Sequence, residues 1–295
     1  MQLSQILQFI ISGLTIGSVY GFTALGFTII FNATGIINFA QGEFVMLGGL
    51  IAAYFYKILN LPLFFACVGS IVLVMIIGAI FERLAIYPRR NASVITLIII
   101  TIGGSMFLKG SAMHILGEDP VALPAFSGEK SLAFFGAAIQ PQAIWVIAIT
   151  LTSVILLWIF YNNTILGKAM RASSDNKEAA RIVGINVSRL TLYSFAFSAA
   201  VGAVGGVVIT PIILAVFSMG GMIGLKGFAA AIVGGLGNPI GSVMGGLVLG
   251  VLESLSVGVI SSGYKDAISL LILLLVLFIR PGGFFGSAKG QKIEP

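Results

Sequence analysis

Gly167–Arg189, GKAMRASSDNKEAARIVGINVSR, is a polar interval between apolar runs, and its reading decides what kind of molecule the chain is. Asp175 is positioned to act as an N-cap, and Glu178 three residues on completes a capping box by reaching back to the cap's own N–H. Asn176 to Val183 then reads as about two helical turns, with Gly184 ending them as a left-handed C-cap residue. Ala179, Ala180, Ile182 and Val183 give small and apolar surface, while Lys177 and Arg181, four apart, share a charged face. So short a helix is not stable alone in water, so a partner or the rest of the chain must hold it. A plainer reading of the same pattern is an amphipathic segment lying on a bilayer.

The flanks of this interval fix the class. Across 295 residues the chain is 58% hydrophobic and only 9% charged, with a mean hydropathy of +1.10. A soluble domain carries about a quarter charged residues, so this is the composition of a polytopic membrane protein. The net charge of +6 comes from basic residues scattered between the apolar runs, which suits membrane loops and argues against a nucleic-acid partner. The single cysteine, Cys67, lies in an apolar run, leaving neither an internal disulfide nor a thiolate metal site. No Lys or Arg precedes Lys57, so a cleavable signal peptide is not expected, and the first span is expected to stay in the mature protein.

In chain order, a first span covers about Leu7 to Phe31 and carries Gly13, Gly17 and Gly21 at four-residue spacing, a ladder that permits close helix approach in lipid. Asn32 to Gly42, NATGIINFAQG, breaks it, and a second span follows from Glu43 to Leu59. Further spans are read at about Leu63–Phe81, Ser93–Ile115, Pro141–Tyr161 and Leu190–Val216. The fourth and fifth are separated by the acid-biased loop Leu116–Gln140, with Glu118, Asp119 and Glu129 against Lys130. The glycine-dense stretch Gly220–Leu255 reads as a segment, a Gly237-Asn238-Pro239 break and a return helix bearing Gly241/Gly245 and Gly246/Gly250. A last span covers Ala267–Ile279. The expectation is an all-α integral membrane protein of about eight or nine transmembrane helices with broken or re-entrant segments, one domain over 1–295 with a polar loop at 163–189 and a tail at 281–295.

The positive-inside rule orients it. With the loop at Arg83–Arg90, the 163–189 loop and the tail in the cytoplasm, Arg83, Arg89, Arg90, Lys168, Arg171, Lys177, Arg181, Arg189, Arg280, Lys289 and Lys292 lie inside. Lys57, Lys109, Lys130, Lys226 and Lys265 remain outside, eleven against five. Each half also contains a helix running into a polar break and back, GFTIIFNATGIINFAQGEFVMLGG and AAAIVGGLGNPIGSVMGGLVLG. Broken helices at corresponding positions of two halves point to a transport pathway; glycine-rich helices also resemble each other by composition alone.

Catalytic signatures are missing. Gly167-Lys168 is followed by Ala169, so there is no phosphate-cradling loop, and His114 is the only histidine, so no zinc-hydrolase constellation exists. The ionisable residues of interest are Glu43, Lys226 and Glu253, because charges within a membrane are costly and face protein or water. If Asn238-Pro239 turns a hairpin, Lys226 and Glu253 stand at similar distances from the turn and can pair. Glu43 opens the helix after the first break, where a carboxylate suits a helix N-terminus. Candidate pathway or helix-break residues are therefore Asn38, Gln41, Gly42, Glu43, Lys226, Gly237, Asn238, Pro239 and Glu253.

Four ordered motifs carry a resemblance over nearly the whole chain: Ile37-Asn38-Phe39-Ala40-Gln41-Gly42-Glu43, Glu178-Ala179-Ala180 with Gly184, Gly234-Gly235-Leu236-Gly237-Asn238-Pro239-x-Gly241, and Arg280-Pro281-Gly282-Gly283-Phe284-Phe285-Gly286. With Gly167-x-x-x-Arg171-Ala172, they resemble LivH-type permease subunits of branched-chain amino acid ATP-binding-cassette importers. The resemblance implies an importer permease fold in the plasma membrane (the inner membrane of a Gram-negative bacterium) and amino acid import. It implies a second homologous permease subunit, two cytoplasmic ATPases and an extracytoplasmic solute-binding protein. ATP and Mg2+ would sit on the partner ATPases, with no cofactor or metal on this chain and no enzymatic activity of its own. It also implies that Gly167, Arg171, Ala172, Asp175, Glu178, Ala179, Ala180 and Gly184 form the contact that couples to an ATPase groove. The loop is terse, without the longer helical arms of some importer families. A stand-alone secondary transporter or channel for a small polar solute would explain the broken helices and buried charges, but has no need of a capped helix in a loop.

Overall fold

A computed structural model describes residues 3–128, 130–134, 136–259 and 261–286. Glu129, Lys289, Lys292 and the rest of the tail from 287 onward lie outside the described residues. The fold is a helical bundle built around α1 (Leu3–Thr34), a single helix of 32 residues. Its glycine ladder is the reason it sits at the centre. An added Cβ at Gly13 would lie 2.6 Å from Val251 Cα, and one at Gly17 2.7 Å from the Gly246 carbonyl of α10 (Pro239–Val259). Gly246 and Gly250 of α10 face α1 in turn, whereas Gly241 and Gly245 face α9 (Met219–Gly234). Small residues thus let three backbones approach where lipid supplies no hydrophobic drive between helices.

A second close-packed pair stands beside it. α2 (Gln41–Lys57) lies along α8 (Val187–Ile209), and an added Cβ at Gly48 would meet Ala203 while one at Gly202 would meet Phe44. α3 (Leu63–Phe81), α4 (Val94–Leu116), α5 (Pro141–Asn163) and α11 (Lys265–Ile279) line the outside, with rows of apolar side chains such as Phe64, Phe65, Ile95, Ile99, Trp158 and Phe278 turned outward. Among the described residues seven helices are long and apolar enough to cross a membrane. α2, of 17 residues, and α9, of 16, are shorter, while α11, of 15, counts among the seven only together with the 3-10 turn Ser262–Tyr264 before it. At about 1.5 Å per residue α2 and α9 each fall short of a hydrocarbon core of about 30 Å. Seven long helices and these two short ones stand where eight or nine spans are expected.

Several expectations are corrected. The sixth span ends at Ile209 rather than Val216: Pro211 disfavours helix in the residue before it, and Ala215 instead exchanges two backbone hydrogen bonds with Val121 (2.8 and 3.0 Å). Within the loop read at Leu116–Gln140, Leu132–Phe134 (β1) pairs antiparallel with Ala137–Ile139 (β2). The polar interval holds two helices, α6 (Ile165–Asp175) and α7 (Lys177–Ile182), where one is expected. Asp175 is therefore the last residue of α6 and not a cap. The N-cap is Asn176, whose extended backbone (φ −156°, ψ 109°) breaks the helix and whose Oδ1 accepts from the N–H groups of Glu178 and Ala179, each at 2.9 Å.

The segments that carry the basic residues meet at one end of the bundle. Lys177 donates to the Thr34 carbonyl at the end of α1, Asn32 Nδ2 to the Gly237 carbonyl (2.8 Å), and Asn238 Nδ2 to the Phe285 carbonyl (3.1 Å). At the opposite end Gln8 accepts from the Ala138 N–H of the β-hairpin (2.9 Å).

Candidate functional site

Three places gather the residues that the sequence singles out. The first is the α6–α7 elbow at the basic end. Thr164 caps α6 by accepting from Gly167 N–H (3.0 Å), and Gly167 passes so near α5 that an added Cβ would lie 2.7 Å from Tyr161 Cα. Arg171 turns back on α5, donating to the Tyr161 carbonyl and to Asn162 Oδ1 (2.7 Å). It thereby answers the Tyr161 carbonyl in the last turn of α5, where a cation is favoured. α7 ends as expected at Gly184, whose φ of +86° is open to glycine. Gly184 N–H bonds to the Arg181 carbonyl (3.0 Å) and Ile185 N–H to the Ala180 carbonyl (2.9 Å), the paired bonds of a Schellman end.

The faces of α7 differ from the sequence reading. Ala180 is only 3% exposed and packs inward, so it is not docking surface, and Ile185 and Leu190 lie in or against the cluster that includes Met170 and Tyr161. The surface left open is Ile182 (85%) and Val183 (74%), with Ala172, Glu178 and Ala179 also exposed. Lys177 is not free either: although its stem remains exposed, the ammonium is tucked against α1. That loss of solvent, with Arg181 one turn on, holds it below the ordinary lysine range.

The second place is the first break, residues 35–40, and the start of α2. Gln41 is fully buried: its Nε2 donates to the Ser198 carbonyl (3.1 Å) and its Oε1 accepts from Ser198 Oγ (2.6 Å). α4 braces the same stretch, with Thr101 Oγ1 accepting from Phe39 N–H (3.1 Å) and Ser105 Oγ donating to Glu43 (3.0 Å). Gly42 is fixed by crowding, since an added Cβ would lie 2.7 Å from Gly224 Cα of α9. Two polar atoms here are buried without partners, Asn38 Nδ2 and Glu43 Oε2.

The third is the hairpin α9–α10. Gly235 and Gly237 turn it at φ near +100°, and Asn238 Oδ1 caps α10 by accepting from Gly241 N–H (3.0 Å), with Pro239 at the first helical position. The hairpin brings Lys226 and Glu253 together at 3.0 Å. Sequence reasoning missed the rest of this cluster. Tyr20 of α1 donates to Glu253 (3.0 Å), Ser269 of α11 to its Oε2 (2.5 Å), and Lys265 stands 3.3 Å away. Asp266 reaches Lys226 at 2.6 Å. Only spacing within one hairpin is visible in the chain order; partners from α1 and α11 leave no such signal. Among the described residues no group of His, Cys, Asp or Glu could hold a metal ion.

The model of a protein family described as branched-chain amino acid transport system, permease component, matches residues 9–277. The chain is 34% identical to the high-affinity branched-chain amino acid transport permease LivH of Escherichia coli K12, covering 97% of each protein. It is 32% identical to the permease BraD of Pseudomonas aeruginosa, over 97% of this chain and 98% of that one. The ribose import permease RbsC of Haemophilus influenzae is more distant, at 25% identity over 92% of this chain. Among solved structures, PsaBC of Streptococcus pneumoniae in complex with Fab has a similar fold, with a TM-score of 0.50, 14% identity and 93% of this chain covered. Match and relatives run essentially end to end on a bundle of apolar helices, and the chain belongs to the branched-chain amino acid permease family: it is a multi-pass inner-membrane subunit of an importer and not an enzyme.

Proposed function

We propose that this permease, paired with a second homologous permease subunit, forms the membrane path for branched-chain amino acids delivered by an extracytoplasmic binding protein. Two ATPases, carrying ATP and Mg2+, dock on the basic end, which faces the cytoplasm. The substrate class rests on relatives at 32–34% identity whose names state it. The observation that supports the coupling role is α7 itself. It is closed at both ends by Asn176 and the Gly184 turn, tied to α1 through Lys177, and yet leaves Ile182 and Val183 exposed among the described residues. A rigid, membrane-anchored helix with an apolar tip suits insertion into a groove of a partner that moves. The path itself is assigned to the helix breaks, with Asn38, Gln41, Gly42, Glu43, Gly237, Asn238 and Pro239 as its candidate residues and Lys226–Glu253 as a brace beside it.

The test is Ile182→Asp and Gly184→Val at matched membrane expression. The first puts a charge on the exposed tip and the second forces a β-branched residue into a left-handed conformation. Uptake, ATP hydrolysis and ATPase recovery on purification are expected to fall together, with the permease still inserted. Normal uptake by both variants would mean that the elbow couples nothing, and a secondary transporter would then be the better reading. Ala180→Trp does not serve as a docking variant, because the buried Ala180 site has no room for an indole.

A further inference from the structure

A cavity of about 190 Å3 lies beneath α7 at the basic end, between the end of α1, the π-helical turn Glu82–Ile86 that continues α3, and the start of α8. Its polar lining is unusual in composition. Arg90, Lys177 and Arg181 supply three cations, and none of them takes part in an ion pair with a carboxylate whose side chain is described. The fourth ionisable side chain bearing a charge is Glu82, 1% exposed, whose Oε2 is buried and accepts no hydrogen bond among the described residues. The neighbouring Arg83 does not answer it through an ion pair, its guanidinium lying over the Tyr87 ring at 4.0 Å. Ile36 and Ile86 give the cavity an aliphatic wall. A groove of about 500 Å3 shares Arg90 and Arg181 and adjoins it on the outer side of α7.

We propose that this cavity binds a free aliphatic α-amino acid on the side to which the importer delivers it. The carboxylate would meet Arg90, Lys177 and Arg181, the ammonium would meet Glu82 Oε2, and the side chain would lie on Ile36 and Ile86. A simple anion would leave Glu82 unanswered, and a simple cation would face three like charges; a zwitterion satisfies both halves. The consequence is mechanical. Lys177 and Arg181 ride on α7, whereas Glu82 and Ile86 belong to the extension of α3, so a ligand bridging them adds a tie to α3 beside the one that Lys177 already makes to α1. Accumulated product then restrains the motion that the ATPases drive. The site rests on the importer reading for its substrate class and for the cytoplasmic position of the basic end. A phosphatidylethanolamine headgroup carries the same ammonium–anion pair, and the test separates the two.

The experiment uses the permease–ATPase complex in nanodiscs made with and without phosphatidylethanolamine, in the absence of binding protein. Equilibrium binding of radiolabelled leucine is measured for wild type, Glu82→Gln and Arg90→Gln. Competition is with isoamylamine, which lacks the carboxylate, and 4-methylpentanoate, which lacks the ammonium. Saturable leucine binding in both lipid compositions is expected, weakened about tenfold or more in each variant and unaffected by either competitor. In proteoliposomes, leucine on the ATPase side should slow ATP hydrolysis of wild type but not of Glu82→Gln, whose uptake into empty vesicles stays at the wild-type level. Undiminished binding in Glu82→Gln and Arg90→Gln, or equal competition by the amine, overturns the site. Leucine binding that is absent wherever phosphatidylethanolamine is present would assign the cavity to lipid and likewise overturn it. Binding-protein-dependent uptake by wild type is the separate control: its absence would count against the importer reading and leave the binding result to stand by itself.

Discussion

Glu253 and Glu43 are two carboxylates sealed inside the same bundle, 1% and 2% exposed, and they are treated in opposite ways. Glu253 receives Tyr20, Lys226, Lys265 and Ser269, so that α1, α9, α10 and α11 converge on it, and two cations balance Glu253 and Asp266. Glu43 receives Ser105 alone and keeps one oxygen bare beside Gly220, where even a Cβ would crowd it. A charge that is fully answered fixes the elements that answer it, because no rearrangement can improve it and any loss leaves a partner stranded. A carboxylate with an unanswered oxygen fixes little. Its place is where a helix start, a break and α9 meet, and it remains free to take a further partner.

The largest effect that would break this contrast is expected at Glu253. Glu253→Ala should destabilise the purified subunit by about 3–5 kcal/mol, since Tyr20, Lys226 and Ser269 lose their shared buried acceptor and Lys226 keeps only the half-exposed Asp266. Lys226→Met should do nearly as much, and the double change should cost clearly less than the sum, as read from thermal unfolding of the four proteins. Additive losses would mean that the pair is incidental. Next comes Tyr20→Phe. It removes one hydroxyl donor to a charged acceptor, about 1.5–3 kcal/mol, and leaves the ring packing in place. Its effect should vanish in a Glu253→Ala background.

How much of this could be read from the chain is itself instructive. The Gly13–Gly17–Gly21 ladder was legible because helical period is local, although nothing local said that Gly246 and Gly250 would be its partners. The Lys226–Glu253 pair was legible because both residues are counted from one turn. Tyr20, Lys265, Asp266 and Ser269 join from α1 and α11, and tertiary proximity of that kind has no spacing to betray it. The elbow illustrates a different failure. Asp175 and Asn176 are adjacent and equally good caps, and Glu178 favours the first by its spacing; yet α6, whose helical run was missed, still holds Asp175, so the break falls one residue later. Composition puts Ala180 on the outer face, where a small residue suits any surface, whereas its burial, at 3% exposed, is a matter of tertiary packing that composition does not carry.

The smallest stability effect is expected at Glu43, and it sharpens the contrast most. Glu43→Gln keeps the volume and keeps an oxygen for the Ser105 hydroxyl, while removing a buried charge that forms no ion pair among the described residues. The lost charge relieves desolvation, and the new amide N–H group has to find an acceptor near Gly220; these oppose each other. The net change in stability should stay within about 0.5 kcal/mol of zero, against the several expected for Glu253→Gln, which takes the buried counterion from Lys226 and leaves it only the half-exposed Asp266. Uptake should respond in the reverse order of that stability scale: if the path proposed above runs past the first helix break, a clear fall is expected in Glu43→Gln at unaltered expression and unfolding temperature, since the variant loses the bare carboxylate oxygen. A Glu43→Gln protein that unfolds several degrees early would show that Glu43 is a brace of the same kind as Glu253. One that keeps both stability and uptake would show that the free oxygen faces nothing that moves through the membrane.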